Sequence, residues 1–226
     1  SKCQDGRGSL RHMKKHRRQV LGGLAGLSVV GAGASAFGKT TAPPIPPAPG
    51  PRIRFETPEG AFVVELYPDK APITAGSFLR YVEESRLEGA HFYRAIRFAG
   101  MPNIGLLQGG LNGRGKKMLP PIAHEPTNQT GLSHRNGAIS LAREAPGSAT
   151  CEFFICLGDM SNGLDAAPRQ PGDTAGYGVF GQVVEGLDVV QRLHQSPISP
   201  TKGAEYGMQG QMLDPTVPIA AITRAG

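Results

Sequence analysis

From residue 52 to residue 225 the chain is a series of short apolar runs, most of them closed off by glycine or proline, with no regular alternation of strand and helix. That pattern argues against a doubly wound sheet, which needs a crossover helix between successive parallel strands. Residues 52–56 alternate apolar with polar and predict a strand. The turn Thr57-Pro58-Glu59-Gly60 then leads to a second strand at 61–67, and the pair reads as a hairpin. Further strands are predicted at 91–96, 106–108, 138–142, 152–157, 179–183 and 219–223. A helix is predicted from Pro72, a residue suited to a first helical turn, because Ala75, Phe78, Leu79 and Val82 form an i, i+3, i+4, i+7 stripe. A second, short helix is predicted at 187–194. Eight short strands and two helices predict a mainly β fold, a closed eight-stranded antiparallel β-barrel capped by two α-helices. The 32 glycines and 20 prolines supply the turns that such a fold needs.

The net charge of +6 suggests a polyanion partner, but its distribution argues against one. Residues 1–36 hold seven of the 24 basic residues and one of the 18 acidic ones, leaving 17 of each sign in the rest. A neutral body has no field to draw in nucleic acid. The basic segment reads MKKHRRQVLGGLAGLSVVGAGASAFGK from Met13, and is expected to be an export signal over 1–36, cleaved after Ala34-Ser35-Ala36. Arg17-Arg18 before a mildly apolar Gly/Ala-rich stretch resembles a twin-arginine signal, so a periplasmic or otherwise exported location is expected, with only transient membrane contact through this leader. Residues 1–12 precede a candidate start at Met13 and are given no structural role. Residues 37–51 are a Pro-rich linker, and 52–226 are the globular domain.

Cys151 and Cys156 flank an apolar strand, five residues and roughly 16 Å apart, so both are expected to be buried, unpaired thiols. His91, His124, His134 and His194 have no metal-ligand spacing, and each is expected on the surface or in a loop. No feature calls for a dimer, and a monomer is expected.

Seven phrases then stand in register: VVELYPDKAPITAGSFLRYV (63–82), HFYRAI (91–96), LLQGG (106–110), GAISLAR (137–143), EFFICLGD (152–159), GLDAA (163–167) and YGVFGQVVEGLDVV (177–190). In order and wording they resemble the cyclophilin-type peptidyl-prolyl cis/trans isomerases over about residues 52–225. The resemblance implies the same capped barrel, rotation about the peptide bond before proline as the activity, and proline-containing polypeptides as partners. Such chemistry requires no metal or cofactor. The resemblance further implies Arg94, in Phe92-Tyr93-Arg94, as the catalytic donor and Gln108 as the residue gripping the substrate backbone. Phe154 would be the floor of the proline pocket, with Leu164, Tyr177, Ala142 and Leu106 around it. Strand alternation puts Glu152 on the same face as Phe154, and sends Phe153 into the core.

Three departures from the family pattern bear on the site. RFAGMPNIGLL (97–107) is longer than the family's segment and puts Gly105 and Leu106 where an aromatic and a methionine are usual, with Phe98 or Met101 as candidate substitutes. Glu152 replaces a glutamine and is expected to pair with Arg94. Gly163 removes an aromatic pocket edge. On these grounds the alternative function is a cyclophilin-fold module that binds proline peptides with little or no turnover.

Overall fold

The computed structural model describes residues 49–113, 118–167 and 173–226. The leader at 1–36, its Arg17-Arg18 pair, Cys3 and nearly all of the 37–51 linker lie outside the described residues, as does 168–172. The described chain runs β1 (Arg52–Thr57), β2 (Gly60–Leu66), α1 (Pro72–Glu83), β3 (His91–Phe98), β4 (Met101–Gly110), α2 (Thr127–Thr130), β5 (Ala138–Leu141), β6 (Phe153–Leu157), α3 (Ser161–Leu164), β7 (Gly178–Glu185), α4 (Leu187–His194), a 3-10 turn at Ala204–Tyr206, β8 (Met212–Pro218) and β9 (Ala221–Arg224).

All strand pairs are antiparallel, in one curled sheet of order β8-β3-β4-β6-β5-β7-β2-β1-β9. This differs from the expected closed eight-stranded barrel in two respects. Among the described residues there are nine strands, because 212–224 divides into β8 and β9, and the ladder is open, with those two strands as its edges. The stretch switches partners at its middle: Ile219 N donates to Ala90 O (3.0 Å), next to β3, and Ala220 N donates to Glu56 O (2.8 Å) on β1. The two expected helices are α1 and α4, and two single turns, α2 and α3, accompany them.

One face of the sheet carries the core. Phe55, Phe62, Phe78, Phe92, Phe153 and Phe180 are all within 1% of complete burial. Their rings meet as stacked, tilted and edge-on pairs, from Phe55–Phe62 at 4.7 Å to Phe62–Phe92 at 6.4 Å. Burying each ring contributes about 1.5–3 kcal/mol. Close approach here needs Gly109, where a Cβ would sit 2.8 Å from the Phe92 ring. The other face carries a second apolar cluster of Leu106, Ala138, Phe154, Cys156 and Val179, against which Ile96, Ala142, Leu164 and Tyr177 pack. Alternation along β6 separates Phe153 from Phe154 in this way, as the sequence predicts.

Helix α1 has no side-chain cap of its own at Ala71. The buried Glu125 supplies one from a distant loop, accepting from Ile73 N (3.1 Å), Thr74 N (2.6 Å) and Thr74 Oγ1 (2.7 Å). The carboxylate thereby satisfies donors that a helix start leaves free and sits at the positive end of the helix dipole.

Candidate active site

The second face opens into a groove of about 470 Å³. All eight residues expected at the site line it: Arg94, Leu106, Gln108, Ala142, Glu152, Phe154, Leu164 and Tyr177. The volume suits a small ligand or a short peptide segment. Phe154 is buried at the base, with Leu106, Ile96, Leu164 and Tyr177 around it.

A β-bulge aims Arg94. Strict alternation would put Arg94 on the same face as Phe92, in the core. The ladder with β4 runs Phe92↔Gly109 and then Arg94↔Gln108, so Tyr93 is an extra residue and Arg94 turns out to the groove. Its guanidinium is held on two sides. Nε and Nη2 both donate to Gln211 Oε1, at 2.9 and 2.6 Å, and Nη1 donates to Gln108 Oε1 at 3.1 Å. Partial burial draws its pKa below the ordinary arginine value, with Tyr93 and Tyr177 acting the other way.

The expected Arg94–Glu152 pair does not form. Glu152 instead accepts from Tyr93 Oη (2.8 Å), and Gln108 Nε2 donates to the same hydroxyl oxygen (2.8 Å). The bulge is the cause, because it brings the Tyr93 hydroxyl between the carboxylate and the guanidinium. The donors run in one direction, Arg94 to Gln108 to Tyr93 to Glu152, so each bond polarises the next. Burial first, then the Glu152 charge, push the Tyr93 phenol far above its ordinary range, and it stays a donor.

The groove rim is also built differently from expectation. Residues 97–107, the segment longer than the family's, continue a β3–β4 hairpin that turns at Ala99-Gly100. Phe98 and Met101 pair across that hairpin at 43% and 53% exposure and do not line the groove. Ile96 and Met208 line it instead. At Gly105 a Cβ would lie 2.1 Å from Ile96 O and 2.7 Å from His194 Nε2, so the space beside this backbone is already occupied, from α4. Gly163 is exposed on α3, where a Cβ would meet nothing within 4 Å.

Tyr177 is fixed from behind. Arg143 places its guanidinium carbon 4.8 Å from the ring centroid, donates from Nε to Gly176 O (3.1 Å) and pairs with Asp173 (2.7 Å). Beneath Phe154 lies His134, stacked at 5.8 Å and 13° and edge-on to Tyr177 at 6.4 Å. His134 Nδ1 bonds Asp165 Oδ1 (2.6 Å) and Nε2 bonds Ser140 Oγ (3.0 Å). The expectation that the histidines lie on the surface or in loops fails for His91, buried on β3, and His194, buried on α4; His134 does lie in a loop, the one before β5, but is buried there. His134 and His194 find hydrogen-bond partners that make an interior position tolerable. Cys151 and Cys156 are free and fully buried, as predicted.

Sequence reasoning missed Gln211, Tyr93, Met208 and Arg143. Tyr93 and Arg143 fall within quoted phrases with their side chains unassigned at the pocket, and Tyr93 takes its place through the bulge; Gln211 and Met208 depend on where the 195–211 loop folds back.

The comparisons agree with this geometry. Residues 52–222 match the family model "Cyclophilin type peptidyl-prolyl cis-trans isomerase/CLD". The chain is 36% identical over 175 residues to a peptidyl-prolyl cis-trans isomerase of Acinetobacter baylyi, covering 76% of this chain and 82% of that protein. It is 34% identical over 166 residues to peptidyl-prolyl cis-trans isomerase B of Escherichia coli, covering 72% and 90%. The fold resembles that of a Cryptosporidium parvum cyclophilin type isomerase solved in the presence of the dipeptide Ala-Pro, with a TM-score of 0.59 at 20% identity over 77% of this chain and 99% of that one. A family match along nearly the whole described fold, with bacterial isomerases at this identity, assigns the chain to the cyclophilin-type peptidyl-prolyl cis-trans isomerases.

Proposed function

We propose that this isomerase works by presenting Arg94 to the proline nitrogen of a bound Xaa-Pro segment. Resonance gives the peptide C–N bond partial double-bond character and a rotation barrier of about 18–20 kcal/mol. At the twisted transition state that conjugation is lost, and the nitrogen gains a lone pair able to accept a hydrogen bond. A donor aimed there binds the twisted form better than either planar form, which lowers the barrier. The carrying observation is that Arg94 lines a groove whose base is apolar and, of its five N–H groups, uses three on Gln211 and Gln108, leaving two for a bound segment. Phe154, Leu106, Leu164 and Tyr177 would seat the pyrrolidine ring. Gln108, Ala142 and Glu152 would flank the adjoining peptide. No step calls for a cofactor.

The substrates on this reading are proline-containing polypeptides, met by a single copy of the chain. The Lys/Arg-rich leader with Arg17-Arg18 and the Ala34-Ser35-Ala36 site support export and action outside the cytoplasm. The curl of the sheet, with its two edges joined through Ile219-Ala220, supports the capped barrel as its overall form, the last strand being split in two.

The test is exchange NMR on an Ala-Pro peptide. The wild-type chain should accelerate cis/trans exchange, and Arg94→Ala should lower kcat at least about 100-fold, as expected on removing a donor made for the transition state. Wild-type activity in Arg94→Ala refutes the assignment. Fractionation of cells expressing the full sequence tests the location, and a cytosolic protein with an intact leader refutes export.

A further inference from the structure

We propose that Gln211 is a positioning residue for the isomerisation, its side-chain carbonyl fixing the plane of the Arg94 guanidinium. The inference rests on Arg94 being the donor. Arginine carries its charge on a long, freely rotating stem, and only an N–H directed at the proline nitrogen contributes to the twisted state. A single oxygen, Gln211 Oε1, accepts from both Nε and Nη2, at 2.9 and 2.6 Å, and that paired contact sets both the position and the tilt of the plane. Glu152, the carboxylate nearest in sequence expectation, is occupied by Tyr93.

Gln211 is itself held in place. Its backbone carbonyl accepts from Ala95 N at 2.8 Å, so it is pinned to β3 one residue from Arg94. Upstream, Gln211 N donates to Met208 O (3.1 Å) and Met208 N to Gly203 O (2.7 Å). Ser199 N donates to Met212 O (2.8 Å), and Lys202 pairs with Asp214 (2.8 Å) across the base of the loop. The same folded loop sends Met208 into the groove. The 195–211 loop thus supplies one groove contact and the arginine's orienting acceptor, and it lies outside the seven phrases by which the site is legible.

The experiment uses the full chain with Gln211→Met, which keeps the reach and removes the acceptor, and Gln211→Glu, which keeps the acceptor. With an Ala-Pro peptide, Gln211→Met should lower kcat about tenfold with KM within about twofold, and Gln211→Glu should stay within about threefold of wild type. The Arg94 Nε–Hε cross-peak, slowed in solvent exchange by its bond to Gln211, should broaden in Gln211→Met and persist in Gln211→Glu. Wild-type kcat in Gln211→Met overturns the proposal, as does equal impairment of both variants through KM, which would mark the residue as loop packing. Arg94→Ala run alongside separates the two readings. If it is inactive while Gln211→Met is fully active, only the positioning role falls; if it is fully active, the donor assignment falls first.

Discussion

Removal of His134 tests how the floor of the groove is supported. The ring is fully buried, stacks under Phe154, meets Tyr177 edge-on and bonds both Asp165 and Ser140. Each aromatic contact contributes roughly 0.5–1.5 kcal/mol beyond area, and each hydrogen bond about 1 kcal/mol, with the Ser140 hydroxyl left buried and unpartnered. His134→Ala should therefore destabilise the protein by about 4 kcal/mol, and raise KM as Phe154 settles into the void. The pH dependence carries a sign. Burial lowers the His134 pKa, and the Asp165 carboxylate only partly opposes this, so the folded ring stays neutral where the unfolded one takes up a proton. Stability from the neutral ring is complete above the unfolded value near pH 6.5 and is lost as pH falls from there toward the lower folded pKa, by at most about 1.4 kcal/mol per pH unit. Burial lowers His194 likewise, so part of the acid slope should remain in the variant. With no tryptophan in the chain, urea unfolding at pH 7.5 and 5.5 is best followed by far-ultraviolet circular dichroism. A His134→Ala protein within about 1 kcal/mol of wild type, or one with the wild-type acid slope, would refute the reasoning.

Two further outcomes follow from groups away from the groove. Glu125→Ala removes the remote cap of α1 and should cost about 3 kcal/mol, Glu125→Gln about half as much, with kcat of the folded fraction unchanged; the same urea titrations measure it. Burial pushes the Cys151 thiol up to about 11 and Cys156 further still, so neither forms thiolate near neutrality. In a Cys3→Ser background a thiol-specific reagent at pH 7.5 should modify neither cysteine until denaturant is added, and rapid labelling of the native protein would contradict their burial.

The eight groove residues assigned from the sequence were legible because they fall inside seven fixed phrases, and because period-two alternation separates Phe153 from Phe154 without reference to anything distant. What escaped depends on long-range contacts. The bulge at Tyr93 breaks that same alternation, and nothing in His-Phe-Tyr-Arg marks it. Strand β8 contains Pro215 and Pro218, which read as breakers, yet it lies at a sheet edge where missing N–H groups cost little. Residues 97–104 look like loop because Gly100 and Pro102 interrupt them, whereas pairing with β3 extends the hairpin. Glu152 was expected on Arg94 because opposite charges attract; a hydroxyl two bonds closer in the network took it. The burial of His134 and His194 escaped because the groups that make it tolerable are brought in by the fold: Asp165, 31 residues on, and Ser140 on the neighbouring β5 for His134, and Ile96 O, 98 residues back, for His194.

The two ends of the domain meet at one hydrogen bond, from Ala225 N to Arg52 O at 2.8 Å. Strand β9 runs antiparallel to β1, so tension applied between these ends peels their rungs apart one at a time instead of shearing them together. The peel travels from Arg224 through Ile219-Ala220 and then along β8 beside β3, and the residue just beyond β8 is Gln211. A mechanical load on the C-terminal tail therefore has a continuous covalent route of 14 residues to the acceptor that holds Arg94, while the core phenylalanines lie off that path.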